Sequence, residues 1–378
     1  MNLIAKIIGM LLMLTNGQPL SAGNTPDMPY KVAMGNPVPN EQPDLKFIEI
    51  PLEIEIEERI PPGCDQGPCR AMKHVRLTVN PENDLIYWHG GDFGFDGPQG
   101  GEYPHFNHSA RQEIFTYDIE NDQWNLVMPY CVKDDFTFGH PDQHGWVWDS
   151  KRRIFWSLPG QQRYFGTSCD GVRGMVMGFD PRTNDWSMHE PQEPAPWRSE
   201  FAVYDEKTDR VYMLGMRNDV MIWNPNNHEW SSIEGKRVPR RRNSTYVSHV
   251  GRDIYTIDYF NNELAAYNID DGVMRSMAPL PWKASECKAG TANELNYIVY
   301  IEHLDALFVY DWGCYKTSWL YWVERAAWQE IDIGKVDGRN LVYHPKTRNL
   351  FIMGDSGDMA MDFDNDDTTP YLLRINMK

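Results

Sequence analysis

The sequence predicts an all-β protein, a propeller of six four-stranded antiparallel blades. Three observations carry this: two ladders of similar segments about 44 residues apart, short strands rich in aromatic and branched residues, and tight polar turns at fixed places between them. The first ladder is a hairpin, recurring as LTVNPENDLIYWHGG, VWDSKRRIFWSLPG, VYDEKTDRVYMLG, VSHVGRDIYTIDY, TANELNYIVYIEH and VYHPKTRNLFIMG. In each copy an apolar strand meets a turn that opens near Asn80, Asp149, Asp205, His249, Asn293 or His344, and an aromatic-rich strand follows. The second ladder is an aromatic residue, then Asp or Asn, then five residues, then Trp: YDIENDQW, FDPRTNDW and WNPNNHEW. A fourth copy, YNIDDGVM, has Met274 in the Trp place, and weaker copies begin at Asp311 and Asp364. Read together, the ladders spell strand, tight turn, strand, loop, strand, tight turn, strand, six times over. Seven blades are the alternative count.

The segment DLKFIEIPLEIEIEERI stands before the first blade, with Phe47 and Ile50 spaced like the apolar residues of other fourth strands. It is expected to pair into the last blade and close the ring, leaving no open edge. The C-terminal YLLRIN competes for the same place. Gly90-Gly91 closing a second strand, the aromatic after it and the Trp opening fourth strands resemble the kelch family over about residues 45–378. The resemblance implies the blade architecture and carries no particular activity with it.

At the N-terminus, Lys6 precedes an apolar run from Ile7 to Leu14, followed by turn-formers and Ala22. That is the pattern of a secretory signal peptide over 1–22, and the run is too short to span a bilayer. A flexible linker over 23–44 and the propeller over 45–378 complete the expected organisation, with a secreted or periplasmic location and no membrane span after cleavage. Six cysteines, at 64, 69, 131, 169, 287 and 314, suit disulfides in an oxidising compartment. Cys64 and Cys69 are close enough in sequence to close a short loop, and they lack the second Cys/His pair of a zinc site. Acidic residues outnumber basic ones by 54 to 36, a net charge of −18, which excludes a general nucleic-acid binder because phosphate is repelled over most of the surface.

Function is expected where the loops are long. In a propeller the first-to-second and third-to-fourth turns share one face, and the second-to-third loops share the other with the links between blades. The insertions DFGFDGPQGGEYPHFNHSARQ and PGQQRYFGTSCDGVRG fall in the second-to-third loops of the first two blades, and the link KDDFTFGHPDQHGW adds to the same face. Seven positions before each first-strand turn stand Lys73, Asp142, Arg198, Arg242, Glu286 and Asp337, all charged. Two residues on are Val75, His144, Glu200, Ser244, Lys288 and Arg339, which share a side of the strand with them. These residues are expected either to ring the mouth of the channel as a polar ligand site or to form ion pairs between blades.

The leading expectation is a carbohydrate or other small polar ligand, acidic ones included. Phe93, Tyr103, Phe106, Tyr164 and Trp197 would stack on sugar faces, and Arg198 with Arg242 would clamp a carboxylate, sulfate or phosphate. Lys73, Asp142, His144, Glu200 and Arg339 complete the expected binding set. One alternative is a scaffold for a protein partner. Another is a cofactor-independent enzyme of lyase or epimerase type, with His144 or Tyr164 as acid/base.

No cofactor is expected. His105, His108, His140 and His144, with Asp134 or Asp142, are the candidates for a metal, against a polar loop crown. Tyr343-His344 is similar to the adjacent copper ligands of the galactose oxidase family, whose catalytic domain is also a kelch propeller. The repeat register instead puts His344 on a turn as a cap. DFDNDDTTP looks like a calcium loop but takes the register of a third-to-fourth turn.

Overall fold

The computed structural model describes residues 44–59, 76–89, 114–128, 145–158, 176–189, 202–214, 220–233, 247–258, 261–282, 296–311, 317–334, 338–355 and 370–378. They form six sheets of four antiparallel strands within one compact unit, 42–378. Blade 1 contains β2 (Arg76–Asn80), β3 (Leu85–His89), β4 (Ile114–Asp118) and β5 (Gln123–Met128). Blade 2 contains β6 (Trp146–Asp149), β7 (Ile154–Ser157), β8 (Val176–Asp180) and β9 (Asp185–His189), and blade 3 contains β10 (Ala202–Asp205), β11 (Arg210–Leu214), β12 (Val220–Asn224) and β13 (Glu229–Ile233). Blade 4 has β14 (Ser248–Val250), β15 (Asp253–Asp258), β16 (Glu263–Asn268) and β17 (Val273–Pro279); blade 5 has β18 (Asn296–Ile301), β19 (Ala306–Asp311), β20 (Thr317–Trp322) and β21 (Ala327–Ile331). Blade 6 is made of β22 (Gly338–His344), β23 (Asn349–Asp355), β24 (Pro370–Met377) and, from the other end of the chain, β1 (Ile54–Arg59).

The turns explain the ladders. Asn80, Asp118, Asp149, Asp180, Asp205, Asn224 and Asn268 each end a strand, and each side-chain oxygen accepts a backbone N–H two or three residues on, at 2.9–3.1 Å. A short carbonyl or carboxylate side chain is what such a turn needs, because it satisfies an N–H that the reversing backbone cannot pair. The chain re-enters the next strand through a left-handed residue, such as Asp84, Asp122, Arg153, Asn184, Asp209 or His228, with φ between 53° and 61°. His344 does the same work with an imidazole: its Nδ1 accepts the Thr347 N–H at 3.2 Å. It is a turn cap, as the repeat register implied.

Blade 5 breaks the ladder. Its first turn is a short 3-10 segment, Glu302–Leu304, after Ile301, and its second follows Trp322, so neither opens on a capping side chain. The ladder positions Asn293 and Asp311 are therefore misplaced: Asn293 precedes β18, and Asp311 ends a second strand rather than a third. Trp328, fully buried, is this blade's counterpart of Trp124, Trp186 and Trp230. Asp364 is corrected too. The stretch containing it lies between β23 and β24, so DFDNDDTTP belongs to a second-to-third connection, and its own structure is outside the described residues.

Both chain ends close the ring, in adjacent places. YLLRIN lies in β24, the third strand, and β1 pairs with it antiparallel from Ile54 opposite Met377 to Arg59 opposite Leu372. Just upstream, Lys46 and Ile48 exchange 2.9 Å backbone bonds with Trp328, while the Gln329 amide donates to the Ile50 carbonyl at 2.8 Å. The N-terminal segment thus runs along the outer strand of blade 5 before adding the fourth strand of blade 6. Apolar clusters fill the seams between neighbouring blades, with Trp88, Trp156, Trp223 and Trp328 among the fully buried side chains. Burying each such indole stabilises the ring by roughly 3 kcal/mol or more, judged from Trp truncations.

Candidate functional site

Strand direction divides the ring into a turn face and a link face. Every described first-to-second and third-to-fourth turn lies at one end of the strands; the second-to-third connections and the links between blades leave from the other end. On the link face the connections are unequal. Those of blades 3, 4 and 5 span only 215–219, 259–262 and 312–316, whereas those of blades 1, 2 and 6 span 90–113, 158–175 and 356–369. The register correction in blade 6 adds a third long connection to the two read from the sequence, and blades 6, 1 and 2 are consecutive in the ring. The inner strands β22, β2 and β6 adjoin one another in that order.

Lys73, Phe106, Asp142, His144, Tyr164, Trp197, Arg198, Glu200 and Arg242 lie outside the described residues, as do the metal candidates His105, His108 and His140 and all six cysteines. Arg339 occupies a place in β22. The strands that follow Lys73, Asp142, Arg198 and Arg242 in sequence, β2, β6, β10 and β14, run from the link face to the turn face. Glu286 and Lys288, counted back from Asn293, lose the shared register once β18 is placed at 296–301. Among the described residues no three His, Cys, Asp or Glu side chains group closely enough to hold a metal ion.

Ion pairs between blades, the other reading of the charged ring, are abundant on the turn face. Each of the six seams there is bridged. Lys346 of blade 6 pairs with Asp84 and, at 3.3 Å, with Glu120 of blade 1. Arg153 meets Glu82 at 2.5 Å across the next seam. Arg152 holds Asp149, Asp209 and Asn226 at 2.6–3.0 Å, and Arg252 joins Asp205 to Asp270. The Tyr300 N–H donates to Ser248 Oγ at 2.9 Å, and His303 Nε2 donates to the Met377 carbonyl at 2.8 Å while Tyr343 donates to its Nδ1. Tyr343 and His344 are thus both occupied in structural bonds. The Arg152 bonds hold the Asp209 carboxyl far below the usual range, against the cost of burial.

The described part of the link face shows polar groups that the ladders did not single out. Arg76 and His89, opposite each other on β2 and β3, are 6% and 0% exposed, and Asn340 at the matching place of β22 is 2% exposed. Ser157, the last residue of β7, is wholly buried. Arg76, His89 and Ser157 stand at the ends of their strands, so their visible signal was a polar residue bounding an apolar run. On blade 4, whose connection is short, Asp258 caps Asn261, and burial pushes the Glu263 carboxyl up while the Ser276 hydroxyl, donating at 2.6 Å, draws it partly back.

With this geometry in place, comparison with known proteins bears on the fold. No family model and no curated protein matches the sequence. Solved structures do. An auxiliary nutrient binding protein from Bacteroides ovatus superposes with a TM-score of 0.52 and 10% identity, over 87% of this chain and 78% of that one. A protein of unknown function from Bacteroides thetaiotaomicron gives 0.51 and 8%, over 86% and 77%. At such identities the likeness is one of architecture.

Proposed function

We propose that this chain is an exported propeller of kelch type that binds a carbohydrate or similar polar ligand, acidic ones included, on its link face. One observation carries the reading: the long connections are confined to three consecutive blades, on one face, while the turns of the opposite face are short. A rigid wheel elaborated in one sector is how binding loops are commonly presented. The nutrient-binding description of the Bacteroides ovatus neighbour supports a ligand-binding role. The aromatic residues Phe106, Tyr164 and Trp197 would supply stacking surfaces, and Arg198 with Arg242 the anion clamp.

A glycan-binding screen of the full chain, followed by product analysis of each hit, tests the proposal. Saturable binding without turnover is the expected result. Turnover would make the face a catalytic one, with His144 and Tyr164 the first residues to substitute. Absence of binding to any neutral or acidic glycan would refute the reading.

A further inference from the structure

Among the described residues, the seam between blades 2 and 3 is the place where two imidazoles meet. His189, the last residue of the outer strand β9, touches His228, the left-handed residue that closes the turn between β12 and β13. Their ring centroids are 3.8 Å apart and their planes 39° from each other. Each imidazole also lies against an indole of its own blade: His189 is 5.5 Å from the Trp156 ring, and His228 is stacked 5.8 Å from the Trp223 ring. Trp156 and Trp223 are themselves 6.3 Å apart across the seam, so four rings from two blades form one closed group. The indoles are buried, whereas both imidazoles are partly exposed and open to protons from solvent.

Other histidines at seams face groups that would stabilise a charge. His249 lies 3.9 Å from Asp205 and His344 3.9 Å from Asp84, while His303 donates to the Met377 carbonyl and accepts from Tyr343. His189 faces a second base instead. Burial and His228 hold its pKa down to about 4, and no carboxylate among the described residues acts on it. The charged side chains of the surrounding elements are engaged elsewhere. Arg152 of blade 2 and Asp209 of blade 3 bind each other and Asn226, and Lys151 also reaches toward Asp209. Arg153 pairs with Glu82 and Arg182 with Asp180, Glu229 accepts from Asn227, and Asp185 stands at the opposite end of β9. On its own strand His189 has the Ser187 hydroxyl, 3.3 Å from Nε2.

The sign of the contact therefore depends on protons. While either imidazole is neutral, the rings pack like any aromatic pair. When both are charged, like charges oppose each other at ring-contact distance in a partly buried site, where solvent screens them weakly. We propose that the His189–His228 contact is an acid-released latch, closing the outer part of the seam between blades 2 and 3 while either ring is neutral and forcing it open when both are charged. Val147, Leu158, Val176, Val211 and Met213 of the same seam carry no titratable group, so the opening is local. The latch is closed at neutral pH and opens as pH falls through about 4, where His189 takes the second proton.

Peptide-resolved hydrogen exchange of the full chain, expressed as protection relative to the unstructured rate at each pH, tests the latch. Between pH 7 and pH 4, protection of 185–189 and 225–233 should fall about tenfold more than that of 317–331 in blade 5, the scale of a sub-global opening. His228→Asn leaves an uncharged side chain that tolerates the left-handed backbone, and His189→Gln leaves an uncharged one on the strand. Each alone should reduce the loss at 185–189 and 225–233 to that of blade 5, because the remaining imidazole has no like charge to oppose it. If one variant fails to fold, the other gives the same reading. Equal loss in all blades of the wild type, or a selective loss that persists in a folded variant, overturns the proposal.

Discussion

The two faces of the wheel are built by different means. On the turn face most reversals have one recipe, a capping side chain followed by a left-handed residue, and each seam is stitched by a hydrogen bond or ion pair between neighbouring blades. On the link face the strand ends carry connections as short as 259–262 and as long as 90–113. The contrast teaches that the turn face carries a repeated polar stitch that supplements the apolar packing between the blades. The other end is then free to lengthen, and in blades 6, 1 and 2 it has done so.

The largest test of that contrast is Asp149→Ala. Asp149 is fully buried, caps its turn through the Lys151 and Arg152 N–H groups, accepts the Trp156 indole N–H and pairs with Arg152. Removing it leaves those donors unpaired, and about 3–5 kcal/mol of unfolding free energy should be lost in urea titration. A loss under about 1 kcal/mol would show that the turn face does not secure the ring.

Gly178→Val comes next, because it probes the blade interior between the faces. A β-carbon at Gly178 would stand 2.7 Å from Ser187 Oγ and 3.0 Å from the Trp156 ring, so the variant should lose about 1–3 kcal/mol, read as a lowered melting temperature.

Acid should act in two stages. Burial, reinforced by His228 with ring centroids 3.8 Å apart, lowers the His189 pKa to about 4. The unfolded chain takes up that proton nearer the ordinary histidine value, so stability should decline as pH falls from about 6.5 to about 4. His189→Gln should lessen this first decline, to which His249 and His344, whose pKa values burial also lowers, contribute as well. Asp205 and Asp209 are held below the ordinary carboxylate value, Asp205 by Thr208 and Arg252 in spite of its burial and Asp209 by its bonds to Arg152. Their contribution is present above the unfolded carboxylate pKa and is lost as pH drops below it, giving the second decline. Melting temperatures from pH 7 to 2 would resolve both, and a single decline unaltered by His189→Gln would contradict the assignment.

The smallest expected change in stability is at the link face. Replacing both Arg198 and Arg242 with Ala should alter stability by no more than about 0.5 kcal/mol while abolishing binding of an anionic ligand. A large loss of stability with intact binding would reverse the proposed division of labour between the faces.

How much of this was legible in the sequence follows from the range of each interaction. Asp118, Asp180, Asn224 and Asn268 announce their turns because cap and capped N–H lie within three residues. Blade 5 misled the register because Ile301 and Trp322 stand where capping residues stand elsewhere, and blade 6 because its connection 356–369 holds an Asp-rich stretch that imitates a turn. The candidate site was legible only as a set of long segments on a common face. The aromatic seam between blades 1 and 2 was not, since His89, Trp146 and Trp186 meet there from three strands of two blades.

The sequence by itself determined the repeat, the all-β class and the chemistry of most turns, because these depend on contacts a few residues long. Only the tertiary structure decided that β1 completes the blade begun by β22, that blade 5 is sealed by residues 46–50, and which polar groups are enclosed between blades. Those outcomes depend on which distant strands pack together, and short-range pattern carries no information about that.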